Sequence, residues 1–172
     1  RQAARSTHWP VEPGAGLDRR RASAVVQPGQ DQEVGALRAG LLGVELPGRF
    51  QVLPGRPTVV LDVAHNPHAA TALASALGTM GYHPETIAVC GMLADKDVAG
   101  ALAPLAGRVD CWHVATLAGP RGTTALALAQ VIADGRLGGE VRCHESPRAA
   151  MQAAKGLAAE SDRIVVFGSF YT

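Results

Sequence analysis

The sequence predicts an α/β domain built on a mostly parallel sheet with helices on both faces. Three observations predict it. Strand-like apolar runs alternate with helix-like segments from Gly48 to Gly168. Those runs are apolar on both of their faces, as strands buried in a parallel sheet are. The composition, 47% apolar and 18% charged over 172 residues, supplies the core of one ordinary domain and argues against a disordered chain.

The elements follow in order. Residues 1–30 are rich in Gly, Pro, Arg and Gln and carry no period. The run Arg19-Arg20-Arg21 reads as a solvated stretch. Asp31–Gly43 reads as a short amphipathic helix, with Val34, Leu37, Leu41 and Leu42 near helical spacing. Leu46-Pro47-Gly48 breaks the chain, so a boundary is placed there: residues 1–45 as the remnant of a preceding domain and linker, residues 46–172 as the alternating domain. Arg49–Leu53 and Thr58–Val63 read as strands. Pro67–Met80 reads as a helix, because Asn66 suits the N-cap and Pro67 the first turn. Further strands are expected at Thr86–Gly91, Val109–Val114, Val141–Cys143 and Arg163–Gly168. Further helices are expected at Asp97–Leu105, Thr123–Asp134 and, behind a Ser146 cap, Pro147–Ala159. This order is Rossmann-like.

Composition also excludes. A net charge of +1 lacks the clustered basic excess of a nucleic-acid binder. No apolar run approaches the roughly 20 residues that span a bilayer, and Arg1–Pro10 has no apolar signal core. A cytoplasmic protein, with no nucleic-acid or membrane partner and monomeric, is the expectation. Cys90, Cys111 and Cys143 are odd in number and widely spaced, and read as buried thiols in a reducing compartment. No close Cys or His pairs are spaced for zinc, so no metal site is expected. The chain starts without Met and stops at Thr172 just after a strand-like run, which suggests a piece of a longer polypeptide.

Open parallel sheets bind ligands outside the carboxyl ends of their strands. Here those ends carry Asp62-Val63-Ala64-His65-Asn66-Pro67, Gly91-Met92-Leu93-Ala94-Asp95-Lys96-Asp97, Gly119-Pro120-Arg121-Gly122 and Gly168-Ser169-Phe170. One sheet edge thus gathers Asp62, His65, Asn66, an Asp-Lys-Asp triplet, Arg121 and Ser169. Plain structural duties compete: Asn66 as a helix cap, Asp95-Lys96-Asp97 as a capping turn, Gly119–Gly122 as a turn, Ser169 as a satisfied hydroxyl. Capping does not require Asp62 or His65. His8, His68, His83, His113 and His144 have no ligand spacing and read as structural or surface, and Trp112 reads as core. Neither G-x-G-x-x-G after a strand nor a G-K-[ST] loop is present, so this domain is not expected to hold NAD or ATP by itself.

At Leu46-Pro47-Gly48-Arg49-Phe50-Gln51 and Asp62-Val63-Ala64-His65-Asn66-Pro67, the sequence resembles the C-terminal domain of the bacterial bifunctional dihydrofolate synthase/folylpolyglutamate synthases. These belong to the Mur ligase superfamily. Gly91–Asp97, Gly119–Gly122 and Phe167-Gly168-Ser169-Phe170 follow in the family's order, so the resemblance runs over about residues 46–172. It implies a Mur ligase C-terminal fold, with residues 31–45 as the last helix of the central domain. It also implies an ATP-dependent ligase that adds L-glutamate to dihydropteroate or a reduced folate through an acyl phosphate. ATP and Mg2+ would be held mainly by the family's central domain, which carries the phosphate loop and metal ligands, and this chain alone would be inactive. By the same resemblance Arg49 and Asp62 contact ATP, and His65 is the catalytic candidate. His65, Asn66, Ser169 and Arg121 are candidates for glutamate, with Asp95 and Lys96 in the same cleft. A peptidoglycan-precursor ligase and a non-catalytic α/β ligand-binding module are the alternatives.

Overall fold

The computed structural model describes residues 47–169 and 171–172, all within the unit Val44–Thr172. The expectations for Arg19–Arg21, Asp31–Gly43 and Phe170 lie outside the described residues.

Six strands form one sheet: β1 (Gln51–Leu53), β2 (Thr58–Leu61), β3 (Thr86–Gly91), β4 (Cys111–Ala115), β5 (Glu140–His144) and β6 (Arg163–Gly168). Between them run α1 (Pro67–Thr79), α2 (Val98–Leu102) continued by a 3₁₀ turn (Ala103–Leu105), α3 (Ala125–Asp134) and α4 (Pro147–Leu157). The strand order is β1-β2-β6-β3-β4-β5. All neighbours are parallel except the edge pair β1–β2.

The handedness of crossovers explains where the helices lie. From β2 the chain steps past β6 to β3, then outward to β4 and β5, and one hand places α1, α2 and α3 on one face. The return from β5 to β6 runs the other way, which puts α4 on the opposite face. Packing agrees. Leu73, Leu77, Leu102, Leu128 and Ile132 join Trp112 and Phe167 in one core layer. Ala150 and Ala154 of α4 pack with Ile87, Val89 and Ile164 in the other. The predicted architecture is thus observed, three helices against one.

Burial follows strand position. Every residue of β3 is buried, while the edge strand β5 is mostly half-exposed. Trp112 and Phe167 meet edge to face, with centroids 6.4 Å apart. The predicted caps are in place: Asn66 Oδ1 accepts from Ala69 N at 2.9 Å, and Ser146 Oγ from Ala149 N at 3.3 Å.

Several boundaries differ from expectation. Arg49 and Phe50 lie outside β1, because Phe50 has φ +44°, which no strand accommodates. The helix expected over Asp97–Leu105 becomes α2 plus the 3₁₀ turn at Pro104, whose nitrogen has no proton to give. Cys143 is exposed, correcting the reading of three buried thiols. It sits on the outermost strand, where no further strand covers it.

His113 and His144 form a pair that spacing did not reveal. They lie on adjacent strands, His144 two residues beyond Arg142, the register partner of His113. His113 Nδ1 and His144 Nε2 are 2.9 Å apart. His113 is fully buried, and its Nε2 has no partner among the described residues. Burial first, then the neighbouring His144 and Arg142, lowers the His113 pKa to about 4 from its ordinary 6.5. Its folded state therefore disfavours the proton that the unfolded chain accepts. Stability should be complete above about pH 6.5 and fall as pH drops toward 4. Urea midpoints at pH 7.5 and pH 5 test this. The difference should shrink in His113→Leu, and an unchanged difference would assign the acid sensitivity to other groups.

Candidate functional site

The C-terminal strand ends of β2, β6, β3 and β4 lie side by side in that order. The site residues follow the same order: Asp62 to Asn66 after β2, Ser169 after β6, Asp95 and Lys96 after β3, Arg121 after β4. The expected gathering at one edge is therefore present, but divided into three hollows.

The main cleft has a volume of about 480 Å³ and is lined by Arg49, Asp62, His65 and Asn66, with His68 and Phe50 at its sides. Its apolar bed includes Ala69, Ala72, Leu73 and Ala76 on one face of α1. A hollow of about 370 Å³ lies on the other side of Asp62 and contains Ser169, Gly48 and Thr172. Arg121 lines a third hollow of about 260 Å³, beside Leu93, Pro120 and Tyr171. Asp62 and Val63 form the wall that the first two hollows share.

Hydrogen bonds separate side chains that hold the backbone from side chains that face outward. Each oxygen of Asp62 accepts one backbone hydrogen bond, Oδ1 from Ala64 N at 2.7 Å and Oδ2 from Phe50 N at 2.8 Å, and each keeps a further lone pair. Ser169 is buried, and its Oγ accepts from Leu93 N at 3.0 Å, tying the ends of β6 and β3. Asp97 caps α2 through Gly100 N at 2.9 Å. Asp95 and Arg121, read as members of one cleft, form a solvent-exposed ion pair at 2.9 Å, worth at most about 1 kcal/mol. Arg121 sits in the tight turn closed by Gly122 N to Gly119 O at 3.1 Å.

Other side chains of the main cleft keep polar atoms available. Arg49 is exposed and makes no hydrogen bond or ion pair with the other described residues. His65 is half-buried, and its Nδ1 lies 2.7 Å from Val63 O. A carbonyl can only accept, so Nδ1 carries the proton and Nε2 of the neutral ring keeps its lone pair. Asn66 spends its oxygen on the α1 cap but retains its amide donors.

The turn that bears Arg49 is held at several points. Gly48 and Phe50 both have positive φ, +69° and +44°. Val63 N donates to Gly48 O at 2.8 Å, and Gly48 N donates to Gln51 Oε1 at 3.2 Å. A left-handed Phe costs on the order of 1–3 kcal/mol and persists only where surroundings fix it. Sequence reasoning missed Phe50, His68 and the α1 alanines as lining residues. The spacing 69, 72, 73, 76 was the available signal, since it marks one helical face.

Among the described residues, no three His, Cys, Asp or Glu side chains are grouped to hold a metal ion. No helix among them is long and apolar enough to cross a membrane.

Fold and site together define a class: a Rossmann-like domain that gathers polar side chains at the carboxyl ends of its strands. The family described as the Mur ligase glutamate ligase domain matches residues 48–170, and the chain belongs to it. Over 150 residues it is 40% identical to the dihydrofolate synthase/folylpolyglutamate synthase of Escherichia coli (strain K12), covering 87% of this chain and 34% of that protein. The crystal structure of the bifunctional folylpolyglutamate synthase/dihydrofolate synthase from Yersinia pestis CO92 is similar at TM-score 0.71 and 44% identity, over 80% of this chain and 32% of that one. A crystal structure of bifunctional folylpolyglutamate synthase/dihydrofolate synthase with Mn, AMPPNP and L-glutamate bound is similar at TM-score 0.68 and 42% identity, over 80% of this chain and 32% of that one. The chain spans about a third of the length of the Escherichia coli relative, and of a Buchnera aphidicola relative of the same name.

The join between β6 and β3 yields a test. Gly168 has φ +125°, and a side chain there would collide with Gly91 O. Gly168→Ala should destabilise the domain by about 2 kcal/mol or more. Gly81→Ala, which meets nothing within 4 Å, should stay within about 0.5 kcal/mol. Urea denaturation of both variants measures the contrast, and equal midpoints would show that the close approach is not needed.

Proposed function

We propose that this chain is the C-terminal domain of an ATP-dependent ligase that joins L-glutamate to dihydropteroate or to a reduced folate. The observation that carries the reading is the shared cleft of Arg49, Asp62, His65 and Asn66 at the strand ends of a glutamate ligase domain. The relatives named above favour folate over a peptidoglycan precursor as the acceptor.

A carboxylate is a poor electrophile at neutral pH. ATP converts it to an acyl phosphate, releasing ADP. The amine of glutamate attacks that carbonyl, a tetrahedral intermediate forms, and phosphate leaves as the amide appears. The protein's contribution is placement, charge neutralisation and exclusion of water. Arg49 suits the nucleotide's phosphates, since its guanidinium is exposed and free of other described partners. Asp62 belongs to the nucleotide side of the cleft. His65 faces the amine: its Nε2 lone pair can accept a hydrogen bond from the incoming ammonium and orient it. Asn66, Ser169 and Arg121 are candidates for the glutamate carboxylates, with Ser169 acting from the hollow behind Asp62. Magnesium would accompany the nucleotide on ligands other than the described residues. The partners are ATP, L-glutamate, the pterin substrate and the ligase's own ATP-binding domain, in a monomeric, cytoplasmic enzyme. The isolated chain should bind no ATP productively and catalyse no ligation.

Two variants of the complete ligase test the assignment. Arg49→Ala should cost about 1.5–3 kcal/mol of transition-state stabilisation, roughly ten- to a hundredfold in kcat/KM for ATP. His65→Ala should slow amide formation while ADP release in the first turnover persists. Rapid-quench measurement of ADP and amide separates the two steps. Loss of both in His65→Ala would move that residue to the nucleotide, and unchanged kinetics in Arg49→Ala would leave it a linker residue.

A further inference from the structure

We infer that the contact between His113 and His144 is an acid-sensitive latch. While both rings are neutral it holds the carboxyl end of β5 and the start of α3 to the sheet, and a second proton on either ring releases them.

Location gives the contact its reach. His144 is the last residue of β5, and its carbonyl accepts from Thr116 N at 3.0 Å. Thr116 Oγ1 in turn accepts from Ala125 N, at the first residue of α3, at 3.0 Å. His144 therefore ties together the outer strand, the end of β4 and the helix that follows. Arg121 lies on the loop between Thr116 and Ala125. The His144 residue is half-buried, whereas His113 is fully buried.

The proton count sets the behaviour. A neutral imidazole carries one N–H, and only one proton fits between His113 Nδ1 and His144 Nε2, which are 2.9 Å apart. His113 Nε2 is buried and has no partner among the described residues. A proton there would be a buried donor with nothing to accept it. His113 therefore carries its proton on Nδ1 and donates to His144 Nε2, and His144 carries its own on Nδ1. A second proton on His144 sets two N–H groups against each other. The rings could share that proton only by moving the His113 proton to Nε2, where it has no acceptor. A second proton on His113 occupies the same orphaned position.

No neighbour offsets the charge. Arg142 of β5 is itself a cation, and it engages both oxygens of Glu140 at 2.9 and 3.1 Å. Cys111 of β4 is a buried thiol. On this face β3 and α4 contribute Ile87, Val89, Ala150, Met151 and Ala154, none of which ionises. Burial, the first cause for both rings, lowers the His113 pKa to about 4 and moves that of His144 below its usual 6.5. Opening the latch returns both toward 6.5. The closed form is therefore fully favoured above that pH and loses ground as pH falls toward 4.

The 172-residue chain tests this in two ways. Nitrogen-15 NMR at pH 7.5 reads the tautomers, and both His113 and His144 should be protonated at Nδ1. Protonation of His113 at Nε2 would overturn the latch. Amide hydrogen exchange, expressed as protection factors, reads the release. From pH 7.5 to pH 5, protection at Thr116 and Ala125 should fall by roughly tenfold or more. In dilute urea at pH 5 it should stay flat, as local opening does, while β3 amides lose protection steeply. A urea dependence at Thr116 as steep as that of β3 would mean that only global unfolding senses the protons, and the inference fails. The double variant His113→Leu/His144→Leu replaces both polar partners by apolar ones, and its fall between the two pH values should stay below about twofold. A fall equal to that of the unaltered chain would also overturn the inference. Should the double variant not fold, the tautomers and the urea dependence of the unaltered chain decide.

Discussion

The insertion of β6 between β2 and β3 is the constraint on which the rest of the molecule depends. β6 is last in sequence but lies inside the sheet, hydrogen-bonded on both sides. Until it arrives, β2 and β3 have no common neighbour, and their carboxyl ends share no edge. Its return from β5 places α4 alone on the second face. At its end Gly168 approaches Gly91 closely enough that only glycine fits, and Ser169 then accepts from Leu93. The strand ends that carry the site are thereby locked in register.

A second consequence concerns polar groups at sheet edges. Backbone N–H groups leaving a strand need acceptors, and buried ones left alone are costly. At the amino edge this need consumes Asp110 and Asp162, which accept from Thr86, Glu85 and Ala159. At the carboxyl edge it consumes Asp62, Asn66, Asp97 and Ser169 in the same way. What distinguishes the carboxyl edge is not the number of polar side chains but the pair left facing outward, Arg49 and His65. Asp62, Asn66 and Ser169 thus hold backbone at the same edge at which Arg49 and His65 line the main cleft.

The legibility of the site divides along the same line. Asn66 before Pro67 is readable as a cap because capping is a local event, settled within four residues. The strand ends of β2, β3, β4 and β6 are readable because apolar runs have clear limits and the carboxyl-edge rule applies to any open parallel sheet. The clasp between Asp62 and Phe50 spans twelve residues and depends on a left-handed Phe. No propensity foretells that conformation. The same holds for His113 and His144, which meet only because β4 and β5 pair in one register.

The sequence by itself determined the alternation of strands and helices, the caps, the core character of Trp112 and the family's motifs in order. Each is fixed by neighbours in the chain or by the period of apolar residues. Tertiary structure alone decided that the edge residues divide among three hollows, that Asp95 neutralises Arg121, that Cys143 faces solvent and that both Asp62 oxygens accept from backbone. These depend on strand order and on which donors lie within about 3 Å. Strand order is settled by the chirality of the crossovers and by the packing of both faces, which no local stretch of sequence records.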